Sequence, residues 1–230
     1  MLKRKFTITI EGLIGSGKST LLNNLQTTNI NGNAAFESST IFVPEPIEDF
    51  QKCKLLNRSF NPLKEFYSDK HGNGVCFQSW VNKCYEKQLS ELCAVSTKDT
   101  MILMDRCPYS SVVFLRSLSR LKVFSDFTEY YLENEVATTI KKYFGGDLFG
   151  IDKVYFLDTP IDICVQQIVK RGRYAENEII DLERYLRILE SEYKLFVNEF
   201  VKERGANHVR FFYHPNQDVV VEDFLKFMNS

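Results

Sequence analysis

The run Gly12-Leu13-Ile14-Gly15-Ser16-Gly17-Lys18-Ser19 fits the pattern G-x-x-x-x-G-K-[ST] and is followed by Thr20. Glycines at these places let the backbone curl until several N–H groups converge on a phosphate. A helix opening at the loop adds its partial positive charge, Lys18 neutralises β- and γ-phosphate oxygens, and Ser19 offers a hydroxyl to Mg²⁺. A purely structural strand-to-helix turn has no need of Lys18 and Ser19 at those two places. Gly12, Gly15, Ser16, Gly17, Lys18, Ser19 and Thr20 are therefore the candidate residues for the phosphates of a nucleoside triphosphate. Switch GTPases, motor ATPases and small-molecule kinases all share such a loop, so the acceptor has to be read elsewhere. The segment Val43-Pro44-Glu45-Pro46 supplies a carboxylate that could take the proton of an attacking hydroxyl, in the role of a general base. A solvated loop acid held between two prolines is the plainer reading of Glu45 taken alone.

These residues need a scaffold that brings them together. Short β-branched and aromatic runs at Lys5 to Ile10, Ile41 to Val43, Met101 to Met104, Val154 to Leu157 and His208 to Tyr213 alternate with longer helix-periodic stretches. That alternation predicts a three-layer α/β sandwich on a five-stranded parallel sheet, with ligands gathered at the carboxyl ends of the strands. The spacing predicts helices over Thr20 to Gln26, Gln78 to Cys93, Tyr130 to Tyr143 and Asp181 to Val201. In the last, Leu182, Tyr185, Leu186, Leu189, Tyr193 and Phe196 form a core stripe. Glu45 is expected at the end of a strand adjacent to the P-loop strand. Thr27 to Ser39 and Ser68 to Gly74 read as surface loops.

The chain has 230 residues, 44% of them hydrophobic, which suits one domain over 1–230. Its 29 basic and 30 acidic residues nearly cancel, which argues against nucleic acid or an anionic membrane as partner. Six cysteines without paired metal-ligand spacing read as reduced thiols, and no apolar run approaches the ~20 residues that span a bilayer. With the first motif so near the amino terminus, a cytoplasmic enzyme is the expectation.

Taken in order, Glu11 to Thr20, Glu45-Pro46, Phe77-Gln78-Ser79-Trp80, Asp105-Arg106 and Arg171-Gly172-Arg173 with Glu176 close behind resemble the deoxynucleoside kinase family, which includes deoxycytidine, deoxyguanosine and mitochondrial thymidine kinases and the insect multisubstrate enzyme. The resemblance covers nearly the whole chain. It implies Mg²⁺- and ATP-dependent phosphorylation of a deoxynucleoside 5′-hydroxyl by a homodimer, with a short helical lid around 167–180. It implies that Glu45 is the base, that Gln78 binds the base edge, that Tyr67 and Glu176 hold the sugar 3′-hydroxyl, and that Arg106 sits by the transferring phosphate. Arg171 and Arg173 would close over the donor phosphates. Asp105 would reach the Mg²⁺ shell through water or through Ser19, and His214 to Asp218 would lie against the donor adenine.

Departures from the family pattern bear on both the nucleoside pocket and the donor-phosphate contacts, and Cys107-Pro108 follow Asp105-Arg106 where a Ser is common. Phe50 stands where the family usually has Trp, and Gln167 stands where it commonly has another lid arginine, with Lys170 nearby as compensation. The aromatic that faces the base falls by count at Leu115, with Phe114 one step away, and the sequence leaves both open. Val81, Tyr85 and Ser111 occupy family specificity positions without an Arg–Asp pair, which favours thymidine, with deoxycytidine also accepted. The alternative is a nucleoside monophosphate kinase of the thymidylate-kinase type, which shares the loop, the Asp-Arg pair and an arginine-bearing lid. A carboxylate at Glu45 argues against it, because the acceptor there would already carry a phosphate.

Overall fold

The computed structural model describes residues 1–30, 36, 39–55, 58–147, 149–172 and 182–230. Its centre is a five-stranded sheet in the order β2 (Thr40–Val43), β5 (Met101–Asp105), β1 (Phe6–Gly12), β6 (Lys153–Leu157), β7 (Val209–Phe212). Every pairing is parallel, with Val43 opposite Met104, Ile10 opposite Asp105, and Gly12, where the P-loop begins, opposite Leu157. All five carboxyl ends therefore lie on one edge of the sheet, where βα crossovers leave a crevice. A small antiparallel pair, β3 (Cys53–Leu55) with β4 (Arg58–Phe60), forms a separate two-stranded sheet.

Alternation along β1 explains the layers. Ile8 and Ile10 face a cluster with Leu21, Leu22 and Leu25 of α1 (Lys18–Ile30) and Val220, Phe224 and Phe227 of α9 (Gln217–Met228). The opposite face packs on α4 (Lys70–Val95), α5 (Ser110–Arg120), α6 (Asp126–Phe144) and α8 (Leu182–Arg204). Three shorter helices, α2 (Ile47–Phe50), α3 (Pro62–Ser68) and α7 (Ile161–Arg171), surround the crevice.

The five expected strands and the helices over Gln78 to Cys93 and Tyr130 to Tyr143 are present, and Leu182 to Val201 is helical as expected. Three expectations need correction. Helix α1 extends to Ile30, so Thr27 to Ile30 are helical. The segment Ser68 to Gly74 is not a loop: Asp69 caps α4 by accepting from the Gly72 N–H at 2.9 Å, and the helix runs on through both glycines. Gly74 is required there because a Cβ would lie 2.7 Å from Phe124 Cε1. Finally, β2 is not adjacent to the P-loop strand, because β5 lies between them. The consequence is chemical: Asp105 and Arg106 emerge between the P-loop and Glu45.

Candidate active site

The P-loop is held from outside itself. A Cβ on Gly12 (φ +143°) would meet Leu157 O at 2.7 Å, and one on Gly15 (φ +80°) would meet Cys164 O at 2.5 Å, so β6 and α7 close on a backbone that only glycine allows. Thr159 donates to Ser16 O at 2.9 Å, a tie that gives no signal in the sequence. Lys18 is buried and donates to Leu13 O at 2.6 Å and Ser16 Oγ at 3.2 Å. Burial, reinforced by the nearby Arg106 charge, lowers its pKa to about 8, against the opposing pull of Asp105, Glu45 and Glu11. Ser19 Oγ donates to Asp105 Oδ2 at 2.6 Å.

One cavity of about 710 Å³ opens from this loop. Its phosphate end is formed by Gly15, Gly17, Lys18, Ser19 and Thr20, with Gln167, Lys170 and Arg171 of α7 opposite. Its far end is walled by Phe50, Tyr67, Gln78, Val81 and Tyr85, and by Ser111 and Phe114 of α5. Gln78 is buried in a wall that is otherwise mostly apolar, and Ser111 Oγ is buried with no hydrogen-bond partner. Of the two positions that the count leaves open, Phe114 lines the cavity whereas Leu115 is packed in the core. Phe50 does not act alone: its ring meets Tyr85 edge-on at 5.9 Å and Phe77 at 6.5 Å, so the aromatic wall is a packed unit. Gly12, Ser16 and Asp105 stand behind the cavity surface. Arg173 and Glu176 lie outside the described residues, as does most of the expected lid.

Glu45 and Arg106 meet between the two ends, with Arg106 Nε 3.2 Å from Glu45 Oε1. The approach is an ion contact that lacks hydrogen-bond alignment, since Arg106 Nε has no hydrogen-bond partner. Glu45 keeps 19% exposure toward the cavity. Desolvation raises its pKa, the Arg106 charge opposes this, and Asp105 adds to the rise. Burial alone would weaken the charge on Arg106, but Tyr193, Glu45, Glu11 and Asp105 outweigh it and the guanidinium is held firmly protonated. Arg106 is one of two non-glycine residues described with positive φ, at 67°, and its N–H donates to Ile10 O at 3.1 Å. The strand end is thus turned sharply, and the guanidinium lies over the Phe114 ring at 4.8 Å.

Two residues near Arg106 drew no functional notice in the sequence. Glu11, fully buried on β1, accepts from Thr9 Oγ1 at 2.8 Å, Cys107 N at 3.0 Å and Ser110 Oγ at 2.7 Å. Tyr193, read as core packing, is buried but its hydroxyl meets both Arg106 and Glu11. The available signal was a lone carboxylate in an otherwise uncharged strand.

The end of β5 sets oxygen donors beside the P-loop hydroxyl. Asp105 Oδ1 is buried without a partner beside the Ser19 hydroxyl, while no group of three His, Cys, Asp or Glu residues among the described residues could hold a metal ion alone. The donors fit Mg²⁺ held mainly by phosphates and water.

The structure of deoxyadenosine kinase from M. mycoides with bound dCTP superposes with a TM-score of 0.68 at 20% identity, covering 97% of this chain and 98% of that one, which shows the shared fold. The probable deoxycytidine kinase FPV151 of fowlpox virus is 27% identical over 201 residues, or 86% of this chain and 74% of its own length. Deoxycytidine kinase 2 of Gallus gallus is 27% identical over 214 residues, or 86% of this chain and 76% of its own. The sequence model of the deoxynucleoside kinase family matches residues 8–227, a span that holds the P-loop, Glu45 and Arg106 alike. With that span and this cavity, the chain belongs to the deoxynucleoside kinase family and is a deoxynucleoside kinase.

Proposed function

We propose that this kinase transfers the γ-phosphoryl group of ATP to the 5′-hydroxyl of a pyrimidine deoxynucleoside, thymidine ahead of deoxycytidine, with Glu45 as general base. The observation that carries the reading is the Glu45–Arg106 pair lying between a phosphate-binding loop and an aromatic pocket in one cavity. A carboxylate whose pKa is raised by burial is a better proton acceptor than one in water. As the acceptor oxygen attacks, its proton passes to Glu45, and Arg106 neutralises charge on the phosphoryl group in transit. Lys18 and the loop N–H groups hold the donor phosphates, and Arg171, with Arg173, closes over them. Ser19, with Asp105 acting through water or through Ser19, would hold Mg²⁺, which when bound supplies charge neutralisation to the donor phosphates.

At the far end, the Gln78 amide offers a donor and an acceptor that suit either pyrimidine edge. Glu45 is the sole acid lining the cavity among the described residues, and it faces Arg106 between the two ends, away from the base. Without an acidic acceptor for the cytosine amino group, thymidine is favoured. Phe50, Val81, Tyr85 and Ser111 shape the base site, while Tyr67 and Glu176 hold the sugar. In the same reading, residues 1–230 form one cytoplasmic domain with a lid around 167–180. The domain dimerises through α4 and α6, and the exposed aromatics Phe127, Tyr130 and Tyr131 at the start of α6 support that face.

The test is a product assay with Mg²⁺ and ATP against the four deoxynucleosides and, separately, their 5′-monophosphates. Monophosphates from thymidine and deoxycytidine are the expected products, thymidine giving the higher kcat/KM. Diphosphates formed only from monophosphates would overturn the reading of Glu45, and a preference for deoxycytidine would overturn the argument about the base.

A further inference from the structure

Arg106 is pulled from two sides. On the cavity side is Glu45, 3.2 Å from Nε in a contact too poorly aligned to be a hydrogen bond. On the protein side, Arg106 Nη1 donates to Tyr193 OH, and that hydroxyl donates in turn to Glu11 Oε2 at 3.2 Å. Glu11 cannot follow the guanidinium, because its other oxygen is fixed by Thr9, Ser110 and the Cys107 N–H. The Tyr193 hydroxyl therefore links Arg106 to an immobile buried carboxylate. A guanidinium prefers a parallel, two-pronged approach to a carboxylate. Released from Tyr193, Arg106 would take up that approach to Glu45 and occupy the oxygens that receive the acceptor's proton.

We infer that Tyr193 is a positioning residue for phosphoryl transfer: its hydroxyl, anchored on Glu11, holds Arg106 back from full pairing with Glu45. Glu45 thereby keeps an oxygen for the proton and Arg106 keeps its aim at the transferring group. The inference rests on the roles of Glu45 and Arg106 proposed above. Packing alone does not account for the hydroxyl, because the Tyr193 ring already meets Phe156 edge-on at 5.4 Å and Phe196 at 6.5 Å, contacts that a phenylalanine would keep.

The experiment is a double-mutant cycle of Tyr193→Phe with Arg106→Lys, read as kcat and as KM for ATP and nucleoside. Y193F is expected to lower kcat by about tenfold or more through misplacement of Arg106, with both KM values within about twofold of the parent. R106K is expected to lower kcat as well, and the double variant is expected to be no slower than R106K, since lysine offers no fork for Tyr193 to hold. Parent-like turnover of Y193F, or losses that multiply in the double variant, would overturn the inference while leaving Arg106 its role. Parent-like turnover of R106K would overturn the role of Arg106 and the inference with it. If Y193F does not fold, Glu11→Gln reads the same link from the other end: its amide nitrogen cannot accept from the Tyr193 hydroxyl. E11Q is expected to lose kcat at unchanged KM, and parent-like turnover there overturns the inference.

Discussion

Ser19 and Asp105, 86 residues apart in the chain, are joined by a hydrogen bond of 2.6 Å that leaves Asp105 Oδ1 buried and unpaired. The register that sets Ile10 opposite Asp105 brings the two together, because it ends β5 beside the start of the P-loop. An unpaired buried carboxylate oxygen is costly unless a cation or a water cluster satisfies it. Asp105→Asn keeps an acceptor for Ser19 and removes the charge. The Mg²⁺ concentration giving half-maximal rate should rise by roughly 10–100-fold, while nucleoside affinity stays unchanged. A magnesium titration at saturating ATP checks this, and an unshifted midpoint would remove Asp105 from the metal's surroundings.

Glu45→Gln retains the size of the side chain but cannot take a proton, and turnover should fall by ~10²-fold or more with nucleoside binding nearly intact. Burial raises the Glu45 pKa above the ordinary carboxylate value, with Arg106 acting against it. Protonated Glu45 cannot act as base, so kcat/KM should decline on the acid side at a pH above the usual carboxylate range, and the Gln variant should lose that limb. A pH–rate profile of the two enzymes decides it, and an identical acid limb in both would assign the titration to another group.

Much of this site is legible in the sequence because it depends on local chemistry. The loop Gly12 to Ser19 carries its own pattern, Glu45 and Arg106 follow strands whose composition is plain, and Gln78 lies on a helix whose periodicity is plain. What is not legible depends on strand order and on distant partners. Nothing local places β5 between β1 and β2, and so nothing local pairs Arg106 with Glu45. Tyr193 lies on the apolar stripe of α8, where spacing marks it as core; its hydroxyl gains a role only from residues 87 and 182 positions away. Likewise, Gly72 and Gly74 look like loop residues until Asp69 and Phe124 are in place.

Gly74→Ala tests that last point. Alanine is the better helix former by about 1 kcal/mol, so an exposed position would gain stability. Here the new Cβ would stand 2.7 Å from Cε1 and 3.1 Å from Cζ of the buried Phe124 ring. Overpacking of this kind costs about 1–3 kcal/mol, and the net effect should be destabilising. Chemical denaturation should show a lower midpoint for Gly74→Ala, and Phe124→Leu in the same chain should recover part of the loss. A stabilised Gly74→Ala variant would mean that α4 and Phe124 do not meet.

Lys18 connects stability to function. Its pKa falls from 10.5 to about 8, led by burial, so the charged form is disfavoured in the folded protein by about 3 kcal/mol. The folded value lies below the unfolded one, so this destabilisation is fully present below pH 8, shrinks between pH 8 and 10.5, and is absent above. Lys18→Met should therefore be the more stable protein at pH 7 in the absence of nucleotide, with the advantage narrowing as pH rises through that window. Bound phosphates reverse the balance by favouring the ammonium, so Mg²⁺-ATP should take up a fraction of a proton on binding at about pH 8.5 and almost none at pH 7. Calorimetric titrations in buffers of differing ionisation enthalpy measure that uptake. Lys18→Met should abolish both the proton uptake and transfer to every acceptor. Uptake that persists in the variant would assign the proton elsewhere, and normal turnover in it would remove Lys18 from the phosphate site.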